Sequence, residues 1–383
     1  MHKLAEFNKL SHMKNDTQLY SKKVKAIEVK PNKSISQLLE DMSHTGFQGR
    51  SLSEAVKVLE AMIKDKDTTI LMGYTASLST TGQWKMIQWL IENRFIDILV
   101  PTGANISEDI VEGMGHSYYQ CKPTVDNEFF FKNSLNRYYD LFGKEGDYIE
   151  MTQLIADFVL TLEENRPYSS REFLYLCGLY MAEKGVDCII ATAAKHGVPI
   201  FCPALVDSPH GDAIMIARGK GFRLILDNAQ DYYEFLNLGN QTIDTGVLYI
   251  GGGVPKDFIQ LFAVTGNLLY PDFKVPGRKQ THKREGNFEE YSYPHKYAVQ
   301  ITTDSPQWGS LSGCTFDEAV SWGKEDPQGM YAQCYCDATI GLPIVTHALS
   351  ERIKQKRKGI DFSKHFKMDG QLHKARSKEV VLA

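Results

Sequence analysis

"TTILMGYTASLSTTG", residues 68–82, decides the fold. Its first half is an apolar, β-branched run of strand length, and its second half is small and hydroxylic, closing on Gly82. Unbroken hydrophobicity, rather than strict alternation, is what a strand needs when both faces of its sheet are covered. The same texture recurs in "IDILVPTG" (96–103), "VDCIIATA" (186–193), "VPIFCPAL" (198–205), "FRLILDN" (222–228), "GVLYIGGG" (246–253) and "YAVQITT" (297–303), with helical stretches between. Short buried strands alternating with amphipathic helices predict an α/β fold, a doubly wound parallel sheet with helices on both faces.

Upstream of this pattern the chain reads as helix. "SISQLLEDM" (34–42) and "SLSEAVKVLEAMIK" (51–64) carry helical periodicity, and Ala55, Val56, Val58, Leu59, Met62 and Ile63 make a broad apolar face. The expected organisation is a flexible polar extension over 1–30, one large domain over 31–350 and a basic tail over 351–383. A charged, proline- and tyrosine-rich insertion is expected at 270–295, and it and the tail read as solvated surface.

With 383 residues and 43% hydrophobic content, the chain is long enough to bury a large core. Its 43 basic residues are outnumbered by 47 acidic ones, which excludes the broad positive footprint of a nucleic-acid or anionic-membrane binder. No apolar run of signal-peptide or membrane-spanning length is present, so a cytoplasmic location is expected. The seven cysteines form no CxxC spacing and read as buried thiols. The histidines, among them His116, His210 and His295, form no HxxxH or HExxH, so no metal site is expected. His210, between Asp207 and Asp212, is the one that merits a test.

Ligands of a parallel sheet bind at the carboxyl ends of strands, where loops lead into helices. "MGYTASLSTTG", "PTGAN" and "GGGVPK" are such loops, and none is a GxGxxG fingerprint or a phosphate-binding P-loop. Each alone could be a tight turn. Their recurrence at successive strand ends, with Glu108 and Asp207 placed to accept ribose hydroxyls, favours a dinucleotide.

"TFDEAVSWGK" (315–324) has two readings. As structure, Thr315 and Glu318 form a capping box, and Gly323 ends a short helix. As chemistry, Glu318 and Trp322, four residues apart, present a carboxylate and an aromatic wall to an organic ammonium. Lys324, partly desolvated among cations, then offers the neutral amine that forms an imine.

Taken together, "HTGFQGRSLSEAV", "GYTASLSTTG", "PTGANISED", "PALVDSPHGD", "GGGVPK", "SGCTFDEAVSWGK" and "DATIGLP" resemble, in content and order, the deoxyhypusine synthase family, which includes homospermidine synthases. The resemblance runs from residue 44 to residue 345. It implies a Rossmann-like subunit, a homotetramer, and NAD as cofactor. The implied reaction takes the aminobutyl group of spermidine, carries it as an imine on an enzyme lysine and delivers it to an acceptor amine, a protein lysine or putrescine. By position, Lys324 matches the imine lysine, while Glu318, Trp322, Asp212 and Ser312 match substrate-contacting residues. Thr75, Ser77, Ser79, Thr102, Gly103, Glu108, Asp207, Gly251, Gly252, Thr303, Asp337 and Ala338 match cofactor-contacting ones.

The chain also departs from the family pattern. Asp257 and Phe258 stand where two histidines follow "GGGVxK", so a carboxylate replaces the expected imidazole on the substrate side. Leu261 replaces an asparagine, and Leu311 an aspartate that contacts the polyamine amine. Losing that carboxylate removes about 1.5–3 kcal/mol of charged hydrogen bonding to an ammonium. Altered polyamine recognition is therefore expected, and two alternatives stay open: the same lysine and cofactor acting on a different polyamine, or an NAD-binding oligomer without transferase activity.

Overall fold

The computed structural model describes residues 22–269, 282–283, 291–360 and 362. The central sheet contains β1 (Thr68–Tyr74), β2 (Ile98–Pro101), β3 (Asp244–Ile250), β4 (His295–Thr302) and β5 (Glu325–Tyr335). Its spatial order is β2-β1-β3-β4-β5, and every neighbouring pair is parallel. Beyond β2, Ile200 adds a single parallel bridge to Leu99. Counting that bridge as the third extended segment, the order becomes 3-2-1-4-5-6, the arrangement of dinucleotide-binding sheets.

Side-chain alternation along the strands builds two cores. Ile70, Met72 and Tyr74 of β1, Leu99 of β2, and Leu248 and Ile250 of β3 enter the larger apolar cluster. Leu71, Ile98, Val100, Val247 and Tyr249 enter a second one on the opposite face. Continuous apolar strands are thus explained by two covered faces, as the doubly wound reading requires.

Besides a short helix at Asn127–Lys132, the α-helices are α1 (Ile35–Met42), α2 (Phe47–Lys64), α3 (Trp84–Glu92), α4 (Glu108–Gly113), α5 (Glu145–Val159) and α6 (Ser170–Glu183). They continue with α7 (Ile189–His196), α8 (Pro209–Gly219), α9 (Asn228–Gly239), α10 (Gly253–Thr265), α11 (Phe316–Ser321) and α12 (Ala338–Arg352). The expected apolar face of α2 is buried at all six positions from Ala55 to Ile63 named above. Among the described residues, no helix is long and apolar enough to cross a membrane.

Three expected strands turn out differently. Residues 189–196 are helix α7, because the buried Asp109 carboxylate accepts the Ile189 N–H at 2.5 Å and caps its start. The run at 198–205 makes only the Ile200 bridge, since Pro199 and Pro203 bring no N–H to a ladder. In "FRLILDN" only Ile225–Leu226 is extended, paired with Pro167–Tyr168 apart from the main sheet, and Asp227 then caps α9. A small antiparallel sheet of Tyr119–Gln120, Leu135–Tyr138 and Leu141–Lys144, between α4 and α5, was not anticipated by the periodicity.

Cys177, Cys188, Cys202 and Cys334 are buried thiols as expected, whereas Cys121, Cys314 and Cys336 are only partly covered. The start of the tail is not simply solvated. Arg357 donates to the buried Asp97 carboxylate at 2.6 Å, and Phe362 packs into the second core. Residues 1–21, most of the 270–295 insertion and the tail from 363 lie outside the described residues.

Candidate active site

Because all five strands run the same way, their carboxyl ends share one edge of the sheet. The residues matched to a cofactor follow those ends in turn: Thr75, Ser77 and Ser79 after β1, Thr102, Gly103 and Glu108 after β2, Gly251 and Gly252 after β3, Thr303 after β4, and Asp337 and Ala338 after β5. The strand order reverses between β1 and β3, and a crevice at that switch point is the general ligand site of such sheets.

At the switch point two loops interlock. Thr75 Oγ1 accepts the Gly252 N–H at 3.2 Å, and Ser312 Oγ accepts the Gly253 N–H at 3.0 Å. Gly251 and Gly253 hold φ of +74° and +58°, conformations that favour glycine. A Cβ at Gly252 would lie 2.4 Å from Ser312 Cα, so only glycine admits this approach. Next door, a Cβ at Gly103 would meet Ser208 Oγ at 2.5 Å, which places the Asp207–Ser208 loop against the end of β2.

The matched residues are not equivalent. Ser77, Asp207 and Thr303 are exposed and Thr75 is half-buried. Ser79 is sealed, its hydroxyl donating to the Asn105 carbonyl at 2.7 Å, so it ties the first two loops together. Asp337 caps α12, accepting the Thr339 N–H at 2.7 Å. Glu108 opens α4, nearly buried, and the Tyr148 hydroxyl donates to it at 3.3 Å.

Burial pushes both Glu108 and its neighbour Asp109 up to about 7. The folded chain therefore holds the Asp109 proton more tightly than the unfolded chain, and this contribution to stability falls as pH rises from 3.8 through about 7. His210, buried and pushed down to about 4, works in the opposite sense from about 4 up to 6.5. Asp109→Asn, which keeps an oxygen for the Ile189 N–H, is expected to remove the destabilisation that develops on raising the pH. Melting temperatures of variant and parent across that range, converging at the acid end and separating at the neutral end, check it.

Thr315 accepts the Glu318 N–H at 3.1 Å and starts α11, the structural half of the reading of this stretch. Gly323, with φ +74°, turns the chain out of the helix. That turn delivers Lys324 inward: its side chain is 13% exposed, its Nζ lies 3.3 Å from Asp257 Oδ1, and it sits 5.6 Å from the Trp322 ring centre. Trp322 itself is 58% exposed, and Glu318, one turn back, is exposed as well. The amine thus has an acid on one side and an aromatic wall on the other. Asp212 is exposed in the first turn of α8, a helix packed on α5, and it makes no ion pair with Lys324 among the described residues.

Sequence reasoning passed over the layer beneath. Lys256, fully buried, donates to Gln300 Oε1 at 2.9 Å and to the Cys314 carbonyl at 2.7 Å, and burial pushes its amine down to about 8. Gln300 in turn donates to the carbonyls of Gly251 and Ser312, both at 2.8 Å. One side chain therefore ties the glycine loop, the Ser312 turn and Lys256 together. The signal was available in the sequence: Lys256 and Gln260 fall among the apolar residues of α10, and Gln300 interrupts an apolar strand.

Comparison with known proteins agrees with this architecture. The family profile described as deoxyhypusine synthase matches residues 37–349. The chain is 43% identical over 330 residues to a protein of Methanosarcina mazei named "Probable deoxyhypusine synthase 2", covering 86% of this chain and 90% of the relative. A relative of the same name from Archaeoglobus fulgidus is 38% identical, covering 82% and 98%. A solved structure from Entamoeba histolytica that carries a provisional deoxyhypusine synthase name shares the fold, with a TM-score of 0.57 at 17% identity over 87% of this chain and 98% of that one. The chain therefore belongs to the deoxyhypusine synthase family of aminobutyl-transferring enzymes.

Proposed function

We propose that this enzyme uses NAD and Lys324 to move the aminobutyl group of spermidine, or of a similar polyamine, to an acceptor amine that is either a protein lysine or putrescine. The single observation that carries the reading is the inward turn at Gly323, which sets the Lys324 amine 3.3 Å from Asp257 of α10, the helix that follows the β3 glycine loop. NAD would supply a reversible hydride acceptor for oxidising the donor amine and would return the hydride after transfer. The residues present fit such a cofactor: Thr75, Ser77 and Thr303 offer hydroxyls at the switch point, Glu108 and Asp207 offer ribose acceptors, and the glycines at 251–253 keep the crevice edge free of side chains.

The protein's own groups would do the rest. Asp257, which accepts a hydrogen bond from Lys324 at 3.3 Å, takes the proton that this amine must lose before its lone pair attacks. Glu318 and Trp322 bind the distal ammonium, by charge and by the ring face. A homotetramer is proposed from family membership, and Asp212 is proposed as a second substrate carboxylate.

A second reading has its own observation. Leu261 lies one turn beyond Asp257 on α10, and Leu311 opens the turn carrying Ser312, so two apolar side chains border the place where the family pattern has polar ones. The chemistry would then be retained and the donor changed. Incubation with NAD, a panel of labelled polyamines and either putrescine or candidate proteins tests both readings. The first expects label transferred from spermidine with no net accumulation of NADH. Transfer from another polyamine in preference to spermidine favours the second, and no transfer from any donor sinks both.

A further inference from the structure

Beneath Lys324, polar side chains are sealed away from solvent with too few partners. Glu325, Gln260 and Tyr249 are fully buried, and both Glu325 oxygens, both polar atoms of the Gln260 amide and the Tyr249 hydroxyl lack a hydrogen bond of good geometry. Such groups cost folding free energy, and a cluster of them calls for a functional explanation. Glu325 follows Lys324 directly and opens β5. Lys324 reaches toward Asp257, while the next side chain goes into the core. The backbone between them is held in place: His295 pairs with Glu325 in the β4–β5 register, and the His295 N–H donates to the Lys324 carbonyl at 3.0 Å.

We propose that Glu325 is a positioning residue for the Lys324 amine: a carboxyl sealed below it whose gain or loss of a proton, balanced against Lys256, sets whether Lys324 is offered as a neutral nucleophile or held as a cation. The proposal rests on the reading that Lys324 carries the imine.

The surrounding charges support it. From α10, Lys256 and Asp257 face this region, and from α11 and the turn before it, Glu318 and Cys314 do so. From β3, the Tyr249 hydroxyl feels both Glu325 and Asp257, and β4 contributes His295. Burial pushes the Glu325 carboxyl well above the usual carboxylate range, opposed by Gln260, Lys256 and Lys324. With Glu325 neutral, both lysines lose one attraction that favours their charged forms. Once Glu325 ionises, it favours positive charge on both lysines. A neutral acid therefore suits the attacking amine, and an ionised one suits the protonated imine that follows.

The test needs neither cofactor nor substrate. An amine-reactive reagent is applied to the whole protein across a pH series, and labelling of Lys324 is read by peptide mass spectrometry. In Glu325→Gln the labelling curve is expected to match the parent's at the acid end, where that carboxyl is already neutral, and to run about threefold faster above the pH at which it ionises, a shift to lower pH of about half a unit. Gln260→Met should move it the same way, because that amide favours the ionised carboxyl. If Glu325→Gln fails to fold, Gln260→Met decides alone. An unmoved curve, or one moved to higher pH, overturns the proposal, including the case where only the melting temperature changes. Transfer activity of Lys324→Ala decides the imine reading separately.

Discussion

Lys324→Ala is expected to lower turnover by roughly a thousandfold or more, because a nucleophile that carries the transferred group has no substitute in a covalent mechanism. The structure explains why no neighbour can take over. The nearby amine, Lys256, is fully buried and committed to Gln300 and the Cys314 carbonyl. Borohydride added with NAD and donor should trap an aminobutyl adduct on Lys324 in the parent enzyme and none in the variant. Lys324→Arg should fail equally, since it keeps the charge opposite Asp257 but cannot form the imine. Normal turnover in the alanine variant would remove the proposed mechanism while leaving the fold and family membership untouched.

Gly252→Ala is expected to cost at least a tenfold loss of NAD affinity, about 1.4 kcal/mol. The added methyl would sit 2.4 Å from the Ser312 Cα and 2.7 Å from its hydroxyl, and the first of these is backbone that cannot swing aside. Relief requires the 311–313 turn to move away from the glycine loop. That movement strains the Thr75 and Ser312 hydrogen bonds to the loop N–H groups and the Gln300 contacts to both segments. Overpacking of this kind typically costs about 1–3 kcal/mol of stability as well. Calorimetric titration with NAD, alongside denaturant unfolding, separates the two effects. Parent-like affinity in a folded Gly252→Ala protein would show that the switch point is not where the dinucleotide lies.

The sheet was legible because burial on both faces leaves an unmistakable imprint: β1, β3 and β4 sit where continuous apolar runs place them, and the glycine- and hydroxyl-rich loops stand at their carboxyl ends. The misread segments had the same composition in a different context. "VDCIIATA" is as apolar as a strand, but the Asp109 carboxylate, some eighty residues away in the chain, reaches the Ile189 N–H and starts a helix there. Local pattern cannot register a cap supplied from so far off.

The sequence by itself determined the layered α/β architecture and the family, and it singled out Lys324 as the candidate nucleophile, since periodicity and short motifs are local properties that survive without coordinates. Only the tertiary structure decided that the β1 and β3 loops interlock at the switch point, that Asp257 faces Lys324, and that Lys256, Gln300 and Glu325 form a buried polar layer beneath it. Those relations depend on which strands lie side by side and how deeply a side chain is withdrawn from water. Both are set by the packing of distant segments, and no window of neighbouring residues contains them.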